Sequence, residues 1–139
     1  EEQLKYETSQ NTSIIKSMGF NMVNMEDNLN FKNIKRGLRA ENYDKYYLFN
    51  KSLINEINYN HGAHTASPTG SIKLSNNEYM LYHYKFIGED FNIKRHHYTL
   101  NRLSDLNKQM GWGSQWHKTD EHIIQEICEN RTKAIKVIE

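Results

Sequence analysis

The spacing of apolar residues at the start of the chain predicts a helix followed by a strand. Residues 2–18 carry sparse apolar positions at helical intervals, and Gly19 follows them as a stop. Residues 20–23 form a short apolar run, which favours a strand. Asn28 is suited to cap a second, short helix that is closed by Gly37, where a left-handed backbone is wanted.

Patterns typical of strands occupy the middle of the chain, on both sides of one loop. A run rich in aromatic residues predicts a buried strand, and an alternation of apolar and polar residues predicts a second one. A segment that contains the only proline of the chain breaks the pattern, and a hairpin with an Asn-Asn turn is expected after it. In order, these segments are residues 43–49, residues 52–59, the loop 60–71, and the two arms of the hairpin, 72–74 and 78–86.

Helical periodicity returns between residues 90 and 109. One stripe of this segment recurs at three- and four-residue steps and is expected to face the core, whereas a second face is basic and aromatic. The predicted core stripe is Ile93, His97, Leu100, Leu103 and Met110. The second face is Arg95, Tyr98, Arg102 and Asp105, with an expected ion pair between the last two.

The last part of the chain predicts a loop, a capped helix and a short strand. Gly111 and Gly113 break the helical pattern on either side of Trp112. Thr119 is placed to cap a last helix whose first turn is acidic, the charge that the helix dipole prefers there. Residues 134–138 favour a final strand.

Length and composition bound the class of protein. The chain has 139 residues, which favours one domain (1–139), and its mixture of helix and strand patterns predicts an α/β fold, with α+β as the alternative. Its 18 Lys and Arg against 17 Asp and Glu give a net charge of +1, so no nucleic-acid partner is expected from overall charge. The single cysteine, Cys128, is expected to be buried on the apolar side of the last helix, which fits a reducing, cytoplasmic compartment.

The start of the chain suggests a piece of a larger protein, and no membrane span is expected within the chain. No stretch has the length of apolar residues that a membrane span needs, and no signal peptide is visible. The chain begins at Glu1, inside a predicted helix, so we expect it to be a fragment of something longer. Its oligomeric state is not determined by the sequence.

Two histidines lie in the loop of residues 60–71. His61 and His64 are three residues apart, and Gly62 would let the backbone turn tightly enough for both to reach one metal ion. A zinc site built by the protein alone needs a third and usually a fourth ligand, and no cysteine pair or nearby carboxylate supplies them. The alternative is that His64 hydrogen-bonds a backbone carbonyl and stiffens the loop.

A histidine and a lysine are expected on one face of the second hairpin arm. With a period of two residues, Leu81, His83 and Lys85 share a side, and Tyr82 and Tyr84 take the other. An imidazole and an ammonium are costly to bury without partners, so this face is not expected to be packed core. At a strand end these groups could meet a divalent cation and a phosphate. The alternative is a solvated edge strand.

The segment from Arg95 to Arg102 is basic and aromatic. Such a cluster can hold the phosphates of RNA or of a nucleotide, or it can be a solvated helix face. Trp112 and Trp116 flank a Gly-Ser-Gln segment, and indoles in such loops stack on sugar rings or fill a small core. The sequence contains no Walker-type glycine loop, no dinucleotide fingerprint and no Asp-x-Asp pair.

Motifs in a particular order carry a resemblance to a known family. They are the Gly-x-His turn at 62–64 with a proline and a glycine close behind, Leu-x-His-Tyr-Lys at 81–85, Arg-Leu-Ser-x-x-Asn at 102–107, and Gly-Trp-Gly at 111–113. Together with the aromatic run of residues 43–49, this order resembles the C-terminal part of bacterial and viral family-two-like glycosyltransferases with the GT-A fold. The resemblance extends over roughly residues 34–117.

The resemblance implies transfer of a sugar from a nucleotide-sugar donor to a hydroxyl of a glycan or another acceptor, with Mn or Mg holding the diphosphate. It implies a GT-A-like C-terminal half, a small mixed sheet with flanking helices. It places the metal at His83, the donor phosphates at Lys85, Arg102 and His64, and a stacked sugar at Trp112. A cation and an ammonium would offset the charge that builds on the departing diphosphate.

One departure from the family pattern bears on activity. The family's Asp-x-Asp ligands lie upstream of the matching segment, and residues 1–33 contain no substitute for them. The resemblance therefore implies an acceptor-side portion of the enzyme, inactive by itself. The alternative is a non-enzymatic module that uses the Arg95–Arg102 helix and the Trp112 loop to hold a glycan, a nucleic acid or a partner protein.

Overall fold

The computed structural model of this protein describes residues 1–60 and 64–139, and it confirms a mixed fold of helices and strands. Its sheets are small and antiparallel. The helices are α1 (Glu2–Ser9), α2 (Glu89–Asn101), α3 (Asp105–Gln109) and α4 (Asp120–Lys133). The strands are β1 (Ile14–Val23), β2 (Arg36–Arg39), β3 (Lys45–Phe49), β4 (Ile54–Glu56), β5 (Thr69–Gly70), β6 (Tyr79–Phe86) and β7 (Ile135–Lys136). Short 3₁₀ turns span Phe31–Asn33, Glu41–Tyr43 and Ser114–Trp116.

The chain forms two compact units, and each draws on two separate stretches of sequence. Unit 1 comprises Glu1–Phe20 and Arg39–His83, and unit 2 comprises Asn21–Leu38 and Tyr84–Glu139. Strands β1, β2 and β6 contribute residues to both. Of the predicted site residues, His64 and His83 belong to unit 1, and Lys85, Arg102 and Trp112 belong to unit 2.

Strand β1 replaces the second half of the helix that was expected over residues 2–18. The helix ends at Ser9, and residues 14–17 pair antiparallel with β3, starting with Ile14 opposite Phe49. The helix prediction is therefore wrong beyond Ser9. A β-branched side chain such as Ile14, which is 1% exposed, suits a buried strand, and the partner strand comes from a distant part of the sequence.

Gly19 lies inside β1 and is not a helix stop. A Cβ atom added to Gly19 would lie 2.6 Å from the carbonyl carbon of Tyr43 and 2.7 Å from the carbonyl oxygen of Ala40. The N–H of Gly19 donates a hydrogen bond of 2.8 Å to Oδ1 of Asp44. The glycine is needed here because another segment of unit 1 passes too close for any side chain.

The larger sheet has the strand order β3-β1-β2-β7, and β6 also pairs with β1. The predicted aromatic strand is present as β3, but it lies at an edge of the sheet and its last three side chains are exposed. Expecting a buried strand is therefore wrong, since an edge strand has a neighbour on one side only. The second predicted strand is reduced to β4, which pairs with β5.

The predicted hairpin does not form, although its second arm is present as β6. Residues 72–74 are not part of a strand, and Leu74 makes only an isolated bridge to Ile14. In the expected turn, the side chains of Ser75 and Asn77 both donate hydrogen bonds to the carboxylate of Glu7 in α1. A helix that is remote in sequence thus competes successfully with the local hairpin.

In unit 2, the helix expected from Asn28 is only a 3₁₀ turn at Phe31–Asn33. Its cap is Asn30, whose side-chain oxygen accepts from the N–H of Lys32. Gly37 is not a helix end, because it lies in β2 and pairs with Ile135 of β7. The predicted last strand is confirmed in this shorter form.

The core of unit 2 is packed between α4 and the ends of β1 and β6. Thr119 caps α4 as expected, because its hydroxyl accepts a hydrogen bond from the N–H of His122. Cys128, however, is exposed, and the prediction that it is buried is wrong. The buried face of α4 passes through Ile127, and one further residue turns the helix by about 100° toward solvent. The buried residues of this core are Val23, Phe86, Ile123, Ile127 and Ala134.

The long helix expected over residues 90–109 is split, and its buried face differs from the prediction. Helix α2 ends at Asn101, and α3 follows after a short break. The buried residues of α2 are Asn92 and His96, whereas the side chain of His97 is 56% exposed. The prediction that His97 faces the core is wrong, because α2 packs against α4 and the Ser114–Trp116 turn through the neighbouring position.

Candidate functional site

In unit 1, two predicted site histidines lie against the same tyrosine. The ring of His83, on β6, stacks on Tyr43 with a centroid distance of 4.3 Å and an interplanar angle of 29°. The ring of His64 approaches Tyr43 edge-on at 5.9 Å and 84°. The structure therefore gathers His64 and His83 around one aromatic ring, although they are distant in sequence. His61 and Gly62 lie outside the described residues, so the tight turn expected there stays a prediction.

An ion pair next to Tyr43 holds this aromatic residue in place. Asp44 accepts hydrogen bonds of 2.6 and 2.8 Å from the two terminal nitrogens of Arg39, and one of 2.8 Å from the N–H of Gly19. The Arg39 hydrogen bonds hold the pKa of the Asp44 carboxyl below its usual range, against an opposing effect of burial. Since such bidentate pairs fix both partners, Asp44 anchors the turn that presents the ring of Tyr43.

The groups next to the Tyr43 ring that could bind a ligand are the imidazoles of His64 and His83. The Nδ1 atom of His64 is enclosed and has no hydrogen-bond partner among the described residues. The described residues contain no group of three or more His, Cys, Asp or Glu side chains able to hold a metal ion. Two imidazoles fit a divalent cation in ligand type but supply at most two ligands, so a cation here would need further oxygens from a bound substrate or water.

Lys85 lies in unit 2 and has a polar environment that the sequence did not indicate. Its ammonium lies 4.9 Å from the centroid of the Phe86 ring. Burial lowers the pKa of Lys85, the Glu126 carboxylate acts in the opposite direction, and Lys118 and Arg95 lower it again. The lysine that was assigned to donor phosphates thus lies within electrostatic range of two other cations.

The side chains around Lys85 form a cluster that we call the basic cluster, namely Lys85, Arg95, His96 and Lys118 with the carboxylate of Glu126. Arg95 donates a hydrogen bond of 3.3 Å to the carbonyl oxygen of Lys85. Lys118 pairs with Glu126 at 2.6 Å. The sequence indicated His96 only as part of the basic and aromatic segment from Arg95 to Arg102, and it gave Lys118 no role.

Arg102 and Trp112 occupy more exposed positions of unit 2. The guanidinium of Arg102 lies 5.0 Å from the ring centroid of Tyr98 and donates a hydrogen bond to its hydroxyl group. The predicted ion pair between Arg102 and Asp105 is wrong, because Asp105 pairs with Lys108 at 3.7 Å instead. Trp112 is 47% exposed.

Comparisons with known proteins identify no family for this chain. No protein-family model matches the chain, and no curated protein or solved structure matches it significantly. Among the described residues, no helix combines the length and the apolar character that crossing a membrane requires.

Proposed function

We propose that this chain is part of a glycosyltransferase that moves a sugar from a nucleotide-sugar donor to a hydroxyl of a glycan or another acceptor. The observation that carries the proposal is the meeting of His64 and His83 at the ring of Tyr43. Both histidines belong to the motifs on which the resemblance to glycosyltransferases depends.

In this proposal, the Tyr43 site faces the diphosphate of the donor. During transfer, the acceptor oxygen bonds to the anomeric carbon, the bond from that carbon to the diphosphate breaks, and the acceptor proton passes to a base. A bound Mn or Mg ion would supply charge compensation for the departing diphosphate. His83 and His64 would be its protein ligands, while Tyr43 and its Asp44–Arg39 anchor hold the rings in position.

The roles of three other residues stay predictions. Lys85 and Arg102 are assigned to donor phosphates and Trp112 to a stacked sugar, in line with the resemblance. The exposed indole of Trp112 is compatible with stacking on a sugar ring.

Isothermal titration with a UDP-sugar, with and without Mn, tests this proposal. We expect binding that depends on Mn and that His83→Ala weakens by at least about tenfold, the loss of one good ligand interaction. His117→Ala is the matched control, because His117 is an exposed histidine of unit 2. Binding that is independent of Mn, or equally strong in both variants, would contradict the role of His83.

A second candidate function is a non-enzymatic module that binds a glycan or single-stranded RNA through α2 and the Trp112 loop. It is favoured by two exposed aromatic residues of unit 2, since Tyr98 is 61% and Trp112 is 47% exposed. Arg102 next to Tyr98 would add a cation to such a stacking surface. Metal-independent binding of a glycan or RNA, lost in Trp112→Ala and retained in His83→Ala, would select this function.

A further inference from the structure

The basic cluster of unit 2 gathers side chains from β6, α2 and the segment before α4. Lys85 lies near the end of β6, Arg95 and His96 are consecutive in α2, and Lys118 directly precedes the cap of α4. These elements are held together locally, because the side chain of Asn92 donates a hydrogen bond of 2.8 Å to the carbonyl oxygen of Lys85. The cluster is thus a product of the fold, built by residues that are not adjacent in sequence.

Aromatic side chains surround the cations of this cluster. The guanidinium of Arg95 lies 5.8 Å from the ring centroid of Phe91 and 5.9 Å from that of Trp116. The imidazole of His96 meets the indole of Trp116 at 4.8 Å and 62°. Such rings restrict the motion of the basic groups and partly remove them from water, which strengthens their interaction with an anion.

The cluster brings like charges close to Lys85. Lys85, Arg95 and Lys118 bring three basic side chains together, and among the described residues the carboxylate that acts on Lys85 is that of Glu126. Glu126 forms an ion pair with Lys118 at 2.6 Å. Lys85 makes no ion pair with a carboxylate of the described residues. Half-buried cations that repel one another are a costly arrangement for stability alone, and an anionic ligand would relieve it.

An enclosed imidazole nitrogen of α2 also points to a ligand, whereas the enclosed amide oxygen beside it is an acceptor and would not pair with a phosphate oxygen. Asn92 is 2% exposed and His96 is 8% exposed, so both side chains are more than nine-tenths buried. The Oδ1 atom of Asn92 and the Nδ1 atom of His96 have no hydrogen-bond partner among the described residues. They lie one helical turn apart, on the same side of α2, and the ring of His96 is the one that contacts Trp116.

We propose that Lys85, Arg95, His96 and Lys118 form a binding site for a phosphate group beside Trp116. The oxygens of a phosphate monoester or a diphosphate accept hydrogen bonds from the guanidinium and the two ammonium groups, which is the pairing that phosphate recognition uses. The imidazole of His96 adds a further donor. The residues of this site lie in unit 2, whereas the Tyr43 site lies in unit 1. Lys85 is the one residue that the site shares with the donor-phosphate role proposed above, and binding of inorganic pyrophosphate tests the site separately from sugar transfer.

The fluorescence of Trp116 reports on this site directly. The chain has two tryptophans, so Trp112→Phe leaves Trp116 as the single indole. In this background, inorganic pyrophosphate and UDP are titrated separately at constant ionic strength, because salt screens the interaction of charges. We expect a saturable change in fluorescence with pyrophosphate. Tighter binding of UDP would identify a nucleotide as the source of the phosphate, and tighter binding of pyrophosphate would identify the inorganic ion.

Variants with opposite expected effects make the test specific. Lys118→Ala and Lys85→Ala should each weaken pyrophosphate binding by at least about tenfold, the loss of one charge-assisted hydrogen bond. Glu126→Gln should strengthen it, because the carboxylate that competes for Lys118 is removed. Lys108→Ala is the control, since Lys108 is an exposed lysine of the same unit that pairs with Asp105.

The result that would overturn the proposal is equally clear. Affinities that are the same in Lys118→Ala, Glu126→Gln and Lys108→Ala would mean that pyrophosphate binds elsewhere or by net charge alone. Thermal melts by circular dichroism identify a variant that fails to fold. The expected gain in Glu126→Gln cannot arise from unfolding, so it tests the site even if an alanine variant is unstable.

Discussion

Replacement of Glu7 by glutamine should strongly destabilise unit 1 at neutral pH. Glu7 lies in α1 and is 4% exposed. One carboxylate oxygen accepts hydrogen bonds of 2.7 Å from the hydroxyl of Ser75, 2.6 Å from the amide of Asn77 and 2.7 Å from the hydroxyl of Tyr79. Glutamine keeps the shape of the side chain but removes the negative charge that these donors face.

The size of this destabilisation follows from the effect of the hydrogen-bond donors on the ionisation of Glu7. Burial of Glu7 raises its pKa, but hydrogen bonds from Thr12, Tyr79, Asn77 and Ser75 outweigh burial and lower the pKa from 4.5 to about 2. Each unit of pKa corresponds to about 1.4 kcal/mol, so the ionised side chain should stabilise the folded state by about 3 kcal/mol relative to the protonated one. A neutral glutamine should lose about this amount.

The pH dependence has a definite sign. Because the pKa is lower in the folded state, the contribution of Glu7 is complete above the unfolded value of 4.5 and is lost as the pH falls toward 2. The free energies of unfolding of the two proteins should therefore differ most at pH 7 and converge between pH 4.5 and pH 2.

Urea unfolding followed by circular dichroism at pH 7 and at several values down to pH 3 measures this difference. Glu2→Gln is the control, because Glu2 lies in the same helix and is exposed. A difference below about 1 kcal/mol at pH 7 would refute the reasoning, since that is the typical value of one ordinary hydrogen bond. A difference that stays constant as the pH falls would refute it as well.

Three further substitutions test other parts of the fold by thermal or urea unfolding. Gly19→Ala should destabilise unit 1 by about 2 kcal/mol or more, because the new Cβ would lie 2.6 Å from the backbone of Tyr43. A stability equal to wild type would contradict this close approach. Asp44→Asn should lower the free energy of unfolding by about 2 kcal/mol at pH 7, because it removes the bidentate pair with Arg39. This loss should shrink as the pH falls below the usual range of an aspartate, since the pKa of Asp44 is lowered in the folded state. A loss that does not depend on pH would contradict the ion pair. Thr119→Ala should cost about 1 kcal/mol through loss of the cap of α4, whereas Thr119→Ser should be nearly neutral; equal losses in both variants would contradict the cap.

Local signals in the sequence correctly identified the start of α4 and a break in the helical pattern before it. Thr119 caps α4 as expected, and Gly113 adopts a left-handed backbone with φ of 85° where the helical pattern was expected to break. These features depend on a few neighbouring residues, so short stretches of sequence contain the information. The same kind of signal was misleading at Gly19 and Gly37, because a glycine that permits close packing in a strand looks like a glycine that ends a helix.

The candidate sites were predicted in part. The motifs indicated His64 and His83, and the structure brings them to one ring. Tyr43 belongs to the aromatic run of residues 43–49, but it was expected in a strand and was given no role at the site. Its position depends on the pairing of Asp44 with Arg39 and Gly19. In α2, periodicity could not distinguish His96 from His97, since a sparse apolar pattern leaves the buried face uncertain by one position.

The amino-acid sequence by itself determined where the notable local features lie: a pair of motif histidines, a basic helix, a tryptophan loop and a capped last helix. These features are local, because they depend on residue type and on spacing within a turn or a strand. Only the tertiary structure decided which of these groups meet. Long-range pairing turned residues 14–18 into a strand, drew the expected hairpin turn to Glu7, and placed Lys85 with Arg95, His96 and Lys118. The physical reason is that burial and hydrogen bonding between distant segments contribute more free energy than local helix or turn preferences, which amount to less than about 1 kcal/mol per residue.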